Sequence, residues 1–160
     1  MFDKTKMVLF GSSQRGFLVT HLSGQFADMN WRACVCRNPV VDIAGMTEGT
    51  DIPDWCWVEA IGGVFQYALD KVVGPEVLKT MFEKSPFNYV NSVKVPTLMM
   101  VGSKDRRVPM TQGIKWYNAL KVRGIPTQCL VYEDKHDLQK IEVDSDAFVN
   151  YILWILKYLK

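Results

Sequence analysis

Residues 6–16 read KMVLFGSSQRG, and the fold follows from how that run ends. Lys6 to Phe10 is short, apolar and β-prone, and it stops abruptly at Gly11-Ser12-Ser13, the pattern of a buried strand entering a tight turn. A helix is predicted to follow at once, because Leu18, Leu22 and Phe26 recur at i, i+4 and i+8 and would form one apolar face. Ser13 then stands at the hinge between strand and helix.

The same alternation continues along the chain. Ala33 to Cys36 is predicted as a second strand that closes at Arg37-Asn38-Pro39. The region up to about Ser92 is less regular, with Gly45, Gly49, Pro53, Trp55 and Trp57, and contains a predicted helix from Pro75 to Lys84 with proline in its first turn. Pro96 introduces a third strand, Thr97 to Val101, and Gly102-Ser103-Lys104-Asp105 is the loop after it. A helix from about Thr111, with Ile114, Tyr117 and Leu120 inward, is stopped by Gly124-Ile125-Pro126. Gln128 to Tyr132 is the fourth strand, and His136 lies just beyond it. The last helix is predicted to open near Asp144-Ser145-Asp146 and to bury Phe148, Ile152, Ile155 and Leu159. About four strands alternating with helices imply an α/β fold, a parallel sheet covered on both faces.

Composition narrows the function. The chain has 160 residues, 48% of them hydrophobic and 22% charged, enough for one domain with a sizeable core. A formal net charge of +2 gives no electrostatic footprint of a nucleic-acid or anionic-membrane binder, and small or peptidic partners are expected instead. No stretch reaches the ~20 consecutive apolar residues that cross a bilayer. Cys34, Cys36, Cys56 and Cys129 lack a disulfide-rich spacing, and the N-terminus lacks a basic and then apolar run, so a reducing, cytoplasmic location is expected. Cys34-Val35-Cys36 has no second Cys/His pair and reads as strand alternation, not as a metal site.

The candidate chemistry lies at the strand ends. Ligand crevices in open α/β sheets lie outside the carboxyl ends of the strands. Ser13 follows the first strand, Asp105 the third and His136 the fourth, so all three are predicted to gather on one rim. A serine hydroxyl needs an imidazole to take its proton, and the imidazole needs a carboxylate to hold its tautomer and stabilise its cation. The chain order Ser, Asp, His is that of the α/β-hydrolases. Gly11-x-Ser13 matches the first half of a G-x-S-x-G nucleophile elbow, whereas Arg15 occupies the position of the second glycine and is expected to crowd the turn. Of the two histidines, His21 falls inside the first helix and reads as a packed or surface residue.

At these residues the chain resembles the acylaminoacyl-peptidases, within the prolyl oligopeptidase group of serine peptidases. The resemblance runs through FDKTKMVLFGSSQRGFLVTHLSGQF at the elbow, RACVCRNPVVDIAGMTEGTDIPDWCWVEA, KSPFNYVNSVKVPTLMMVGSKDRRVP around Asp105, and HDLQKIEVDSDAF from His136. It implies that Ser13 is the nucleophile, Asp105 the triad acid and His136 the base, with the backbone N–H of Gln14 as one oxyanion donor. The implied reaction releases an N-acyl amino acid from a short N-acylated peptide through an acyl-enzyme, and no cofactor or metal is implied. The family elbow usually reads like GGSHGG, so Ser12, Gln14 and Arg15 depart from it. Family members also carry a β-propeller and the first half of the hydrolase sheet ahead of this segment. Residues 1–160 are therefore expected to be the C-terminal half of an α/β-hydrolase fold, a partial catalytic domain whose first strand is an open edge prone to self-association or pairing. The alternative reading from the same features is a catalytically inactive truncated fragment acting as an interaction module through that edge.

Overall fold

In the computed structural model, which describes residues 3, 5–62 and 74–159, four parallel strands form one sheet in the order β1-β2-β3-β4. The strands are β1 (Val8–Ser12), β2 (Ala33–Arg37), β3 (Thr97–Gly102) and β4 (Thr127–Tyr132). Each lies within a residue or two of its predicted place, because Gly, Pro and Asn end the apolar runs locally. Successive strands are parallel and must be joined by crossovers. These carry the helices α1 (Gln14–Gln25), α2 (Ile43–Thr47), α3 (Pro53–Ile61), α4 (Pro75–Glu83), α5 (Thr111–Val122) and, after β4, α6 (Ile141–Tyr158). A 3₁₀ turn spans Pro86–Ser92.

Alternation along the strands sorts the core onto two faces. Leu9, Cys34, Cys36 and Met99 point towards α1 and α5, where Val19, Trp116 and Leu120 meet them. Ala33, Val35, Leu98 and Met100 point the other way, against Val143, Ala147 and Trp154 of α6. Full burial of side chains such as Leu120, Met99 and Met100 contributes about 1.5–3 kcal/mol each. A third cluster, with Ile43, Met46, Cys56 and Met81 at its centre, joins α2, α3 and α4 and includes Val40 and Val108, which follow β2 and β3. This excursion therefore packs at the carboxyl rim of the sheet.

Two helix faces differ from expectation. In α1 the buried residues are Gly16, Phe17, Val19, Thr20, Ser23 and Gly24, whereas Leu18, Leu22 and Phe26 are exposed. In α6, which starts at Ile141 ahead of Asp144, the buried residues are Val143, Ala147 and Trp154, while Phe148 and Ile152 are exposed and Ile155 is half-buried. In both helices the most apolar row is not the row that meets the sheet. In α5 the inward side is led by Trp116 and Leu120, with Ile114 and Tyr117 half-buried.

Among the described residues, no helix is long and apolar enough to cross a membrane.

Candidate active site

The turn between β1 and α1 is a strained elbow. Ser13 has φ 55° and ψ −123°, a conformation that costs an L-residue of order 1–3 kcal/mol and persists only where its surroundings enforce it. They do so from both sides. The Ser13 N–H donates to the carbonyl of Arg37 at the end of β2 (2.9 Å), and the Ser13 carbonyl accepts the Phe17 N–H (3.0 Å), the first hydrogen bond of α1. A Cβ on Gly11 would lie 2.4 Å from the Arg15 carbonyl oxygen, and one on Gly16 would lie 2.8 Å from Pro39 Cβ. The glycine that the turn requires beyond the serine is thus Gly16, and the expected crowding by Arg15 does not occur, since Arg15 is exposed. Gln14 opens α1, so its N–H is one of the helix's unpaired first-turn donors.

Asp105 and His136 complete a hydrogen-bonded relay with Ser13. His136 Nε2 lies 2.9 Å from Ser13 Oγ, and His136 Nδ1 lies 2.7 Å from Asp105 Oδ2. The Asp105 side chain is fully buried, and its other oxygen accepts the N–H groups of Arg107 (2.8 Å) and Val108 (2.9 Å), so the carboxylate cannot swing away from the ring. The three predicted residues come from the ends of β1, β3 and β4 and meet on one rim, as the topology requires. With Nδ1–H donated to the carboxylate, Nε2 is left to accept the serine proton.

Sequence reasoning missed the residues that hold the His136 loop. Asn38 is buried, sits at φ 41° and bridges two strand ends: its Nδ2 donates to the His136 carbonyl (2.5 Å), and its Oδ1 accepts the Gly102 N–H (2.8 Å). Arg37 Nη2 donates to the carbonyls of Asp137 (3.3 Å) and Leu138 (3.1 Å) and to Asp144 Oδ1 (3.1 Å). Leu138, also at positive φ, is fully buried against the α6 face. Asp134 accepts the N–H groups of Lys140 and Lys135, which hold its carboxyl below the usual carboxylate range. The only local signal was an asparagine at a strand end, a residue that tolerates the left-handed region.

His21 lies apart from the relay. Its Nε2–H donates to the Lys84 carbonyl (3.1 Å), its Nδ1 accepts from Gln25 (2.8 Å), and burial pushes its pKa down, which favours the neutral ring. Cys34 and Cys36 point to the same face of β2 with their sulfurs 3.7 Å apart, and the hydrogen bond between them, with burial second, pushes the Cys36 thiol up. Among the described residues no group of three or more His, Cys, Asp or Glu is placed to hold a metal ion.

A cavity of about 800 Å³ opens beside Asp105 and His136 and is lined also by Lys104, Arg106, Arg107 and Lys135.

The description "Prolyl oligopeptidase family" belongs to the family model that matches residues 1–160. Acylamino-acid-releasing enzymes of Mus musculus and Homo sapiens are each 45% identical to this chain over 159 residues, which is 99% of this chain and 21% of theirs. The chain thus spans about a fifth of the length of these curated relatives. The solved structure of an uncomplexed acylaminoacyl peptidase from Pyrococcus horikoshii superposes with a TM-score of 0.75 at 20% identity, covering 98% of this chain and 24% of that one. That likeness supports the α/β-hydrolase fold.

Proposed function

The chain belongs to the prolyl oligopeptidase family, and from that membership we propose that it is the C-terminal part of a serine peptidase's catalytic domain, one that releases an N-acyl amino acid from a short N-acylated peptide. The observation that carries this reading is the relay from Ser13 Oγ through the His136 ring to the buried Asp105 carboxylate. The names of the relatives at 45% identity supply the substrate class.

In the proposed reaction His136 Nε2 takes the hydroxyl proton as Ser13 Oγ attacks the carbonyl of the acylated residue. The resulting imidazolium is stabilised by Asp105, and the oxyanion is met by the Gln14 N–H, a donor of a kind worth about 10²–10³ in rate. His136 then passes the proton to the leaving amine, and the C–N bond breaks to leave an ester on Ser13. Water, deprotonated by the same ring, hydrolyses that ester and returns the serine.

The domain reading has separate support. The β1 edge is flanked by α1, which exposes Leu18, Leu22 and Phe26, and by α6, which exposes Phe148, Ile152, Leu153 and Leu156. Phe10 stands 48% exposed on β1 itself, with its ring 5.1 Å from that of Tyr151. An apolar surface of this extent is normally covered, and self-association or pairing at β1 is part of the proposal. Sedimentation that finds only monomer at all concentrations would count against it. A cytoplasmic home is likewise proposed; the free thiols of Cys34, Cys36, Cys56 and Cys129 support it, and imaging of the tagged protein tests it. The inactive-module alternative is not favoured, because the relay that such a module would not need is intact in geometry.

Labelling by a fluorophosphonate probe tests the catalytic reading. Labelling that disappears in Ser13→Ala and after denaturation is expected; labelling that survives Ser13→Ala would overturn the assignment.

A further inference from the structure

The cavity beside the relay has a charge pattern that the acyl-transfer chemistry does not use. Of its four cations, two are engaged: Lys104 with Glu133 at 2.6 Å, and Arg107 with Asp51 at 3.4 Å. The side chains of Arg106 and Lys135 make no hydrogen bond or ion pair among the described residues. Three acids share the lining with them: Asp51, which meets Arg107, Asp105, which meets His136, and Asp137. Arg106 is nevertheless held in place at its backbone. Its carbonyl accepts the Asp51 N–H (2.9 Å), and the next two N–H groups are tied to Asp105 Oδ1. A guanidinium is thus mounted on the same rigid turn as the triad acid, free to engage a ligand.

Chemistry says which part of a substrate lies there. His136 must deliver its proton to the leaving amine, so the residues beyond the scissile bond depart on the His136 side of the relay, where this cavity opens. The geometry points to this cavity as the leaving-group subsite, with Arg106 a specificity-determining residue that binds the free α-carboxylate of a short peptide and Lys135 adding a second cation. An arginine fork matches a carboxylate with two parallel hydrogen bonds, whereas a peptide amide at the same place offers one acceptor and no charge. The inference rests on the peptidase reading and adds a source of length selection to it. A volume of about 800 Å³ is roughly 9 Å across, and extended chain advances roughly 3.3–3.6 Å per residue. A carboxylate two residues past the scissile bond, roughly 7 Å along the chain, therefore falls within the cavity, and that of a longer peptide falls outside it.

The test separates binding from turnover. In the Ser13→Ala chain, which cannot cleave its ligand, calorimetric titration compares N-acetyl-Ala-Ala-Ala as free acid with its C-terminal amide. The acid is expected to bind about tenfold more tightly, the scale of one charge-assisted contact, with the ratio shrinking at high salt. Arg106→Gln on the same background is expected to bring the ratio near one by weakening the acid alone. A ratio near one in the parent, an unchanged ratio in Arg106→Gln, equal weakening of both ligands, or failure of both to bind would each overturn the inference. Turnover of N-acetyl-alanine p-nitroanilide by the chain with Ser13 intact reports the peptidase reading separately, since the anilide carries no carboxylate beyond the scissile bond.

Discussion

Replacing Asn38 should damage stability and the site together, in proportions that the structure sets. The side chain satisfies the Gly102 N–H, which is buried, and the His136 carbonyl, which is partly so. A buried polar group left without its partner costs about 1–3 kcal/mol, so Asn38→Gly, which keeps the backbone at φ 41° relaxed, should lose about 3 kcal/mol. Asn38→Ala should lose about 1 kcal/mol more, the cost of a Cβ in the left-handed region. With a urea dependence of about 2 kcal/mol/M, the glycine variant's midpoint should fall by about 1.5 M. Because the lost donor grips the backbone of His136 itself, fluorophosphonate labelling should also slow, by about tenfold at a temperature where both proteins are folded. The fall is limited because Arg37 still holds Asp137 and Leu138. A glycine variant within about 0.5 kcal/mol of the parent, or one that is destabilised but labels at the parental rate, would refute the claim that Asn38 positions His136.

Other perturbations test separate parts of the account. Asp105→Asn should lower turnover of an acyl-amino-acid ester by about 10⁴ with little loss of fold, because the ring would be held in the wrong tautomer; activity within tenfold of the parent would contradict the relay. Arg15→Gly should leave the labelling rate within about threefold, since the exposed Arg15 side chain does not press on the turn, whereas Gly16→Ala should lower stability by about 1–3 kcal/mol through its clash with Pro39, read as a urea midpoint. Burial lowers the His21 pKa, so near and below about pH 6.5 the unfolded chain binds a proton that the folded chain refuses. Stability from this group is complete above about pH 6.5 and declines as pH falls towards the lowered folded value. Urea midpoints across that window should slope less steeply in His21→Gln, and equal slopes would exclude His21 as the cause.

Strand ends were legible in the sequence because their signals are local. An apolar run cut by Gly11-Ser12-Ser13, by Arg37-Asn38-Pro39 or by Gly102-Ser103 states where a strand stops, and strand order along the chain then places Ser13, Asp105 and His136 on one rim. The resemblance carried by the same segments named the family that the full-length match bears out.

Helix faces were decided only by tertiary structure. Periodicity offered Leu18, Leu22 and Phe26 for α1, yet the helix turns Gly16, Phe17, Thr20 and Gly24 inward. The reason is distance: a Cβ on Gly24 would lie 2.8 Å from Tyr89, so the backbone approaches the 3₁₀ turn at a spacing that only small residues allow. Asn38 shows the same limit, since its two partners, Gly102 and His136, are distant in sequence and become neighbours only when β2, β3 and the loop after β4 lie side by side. The sequence by itself determined which elements form and in what order, since each depends on residues a few positions apart. Which surfaces those elements share, and therefore what holds the histidine against the serine, depends on the packing of distant segments and was decided by the tertiary structure alone.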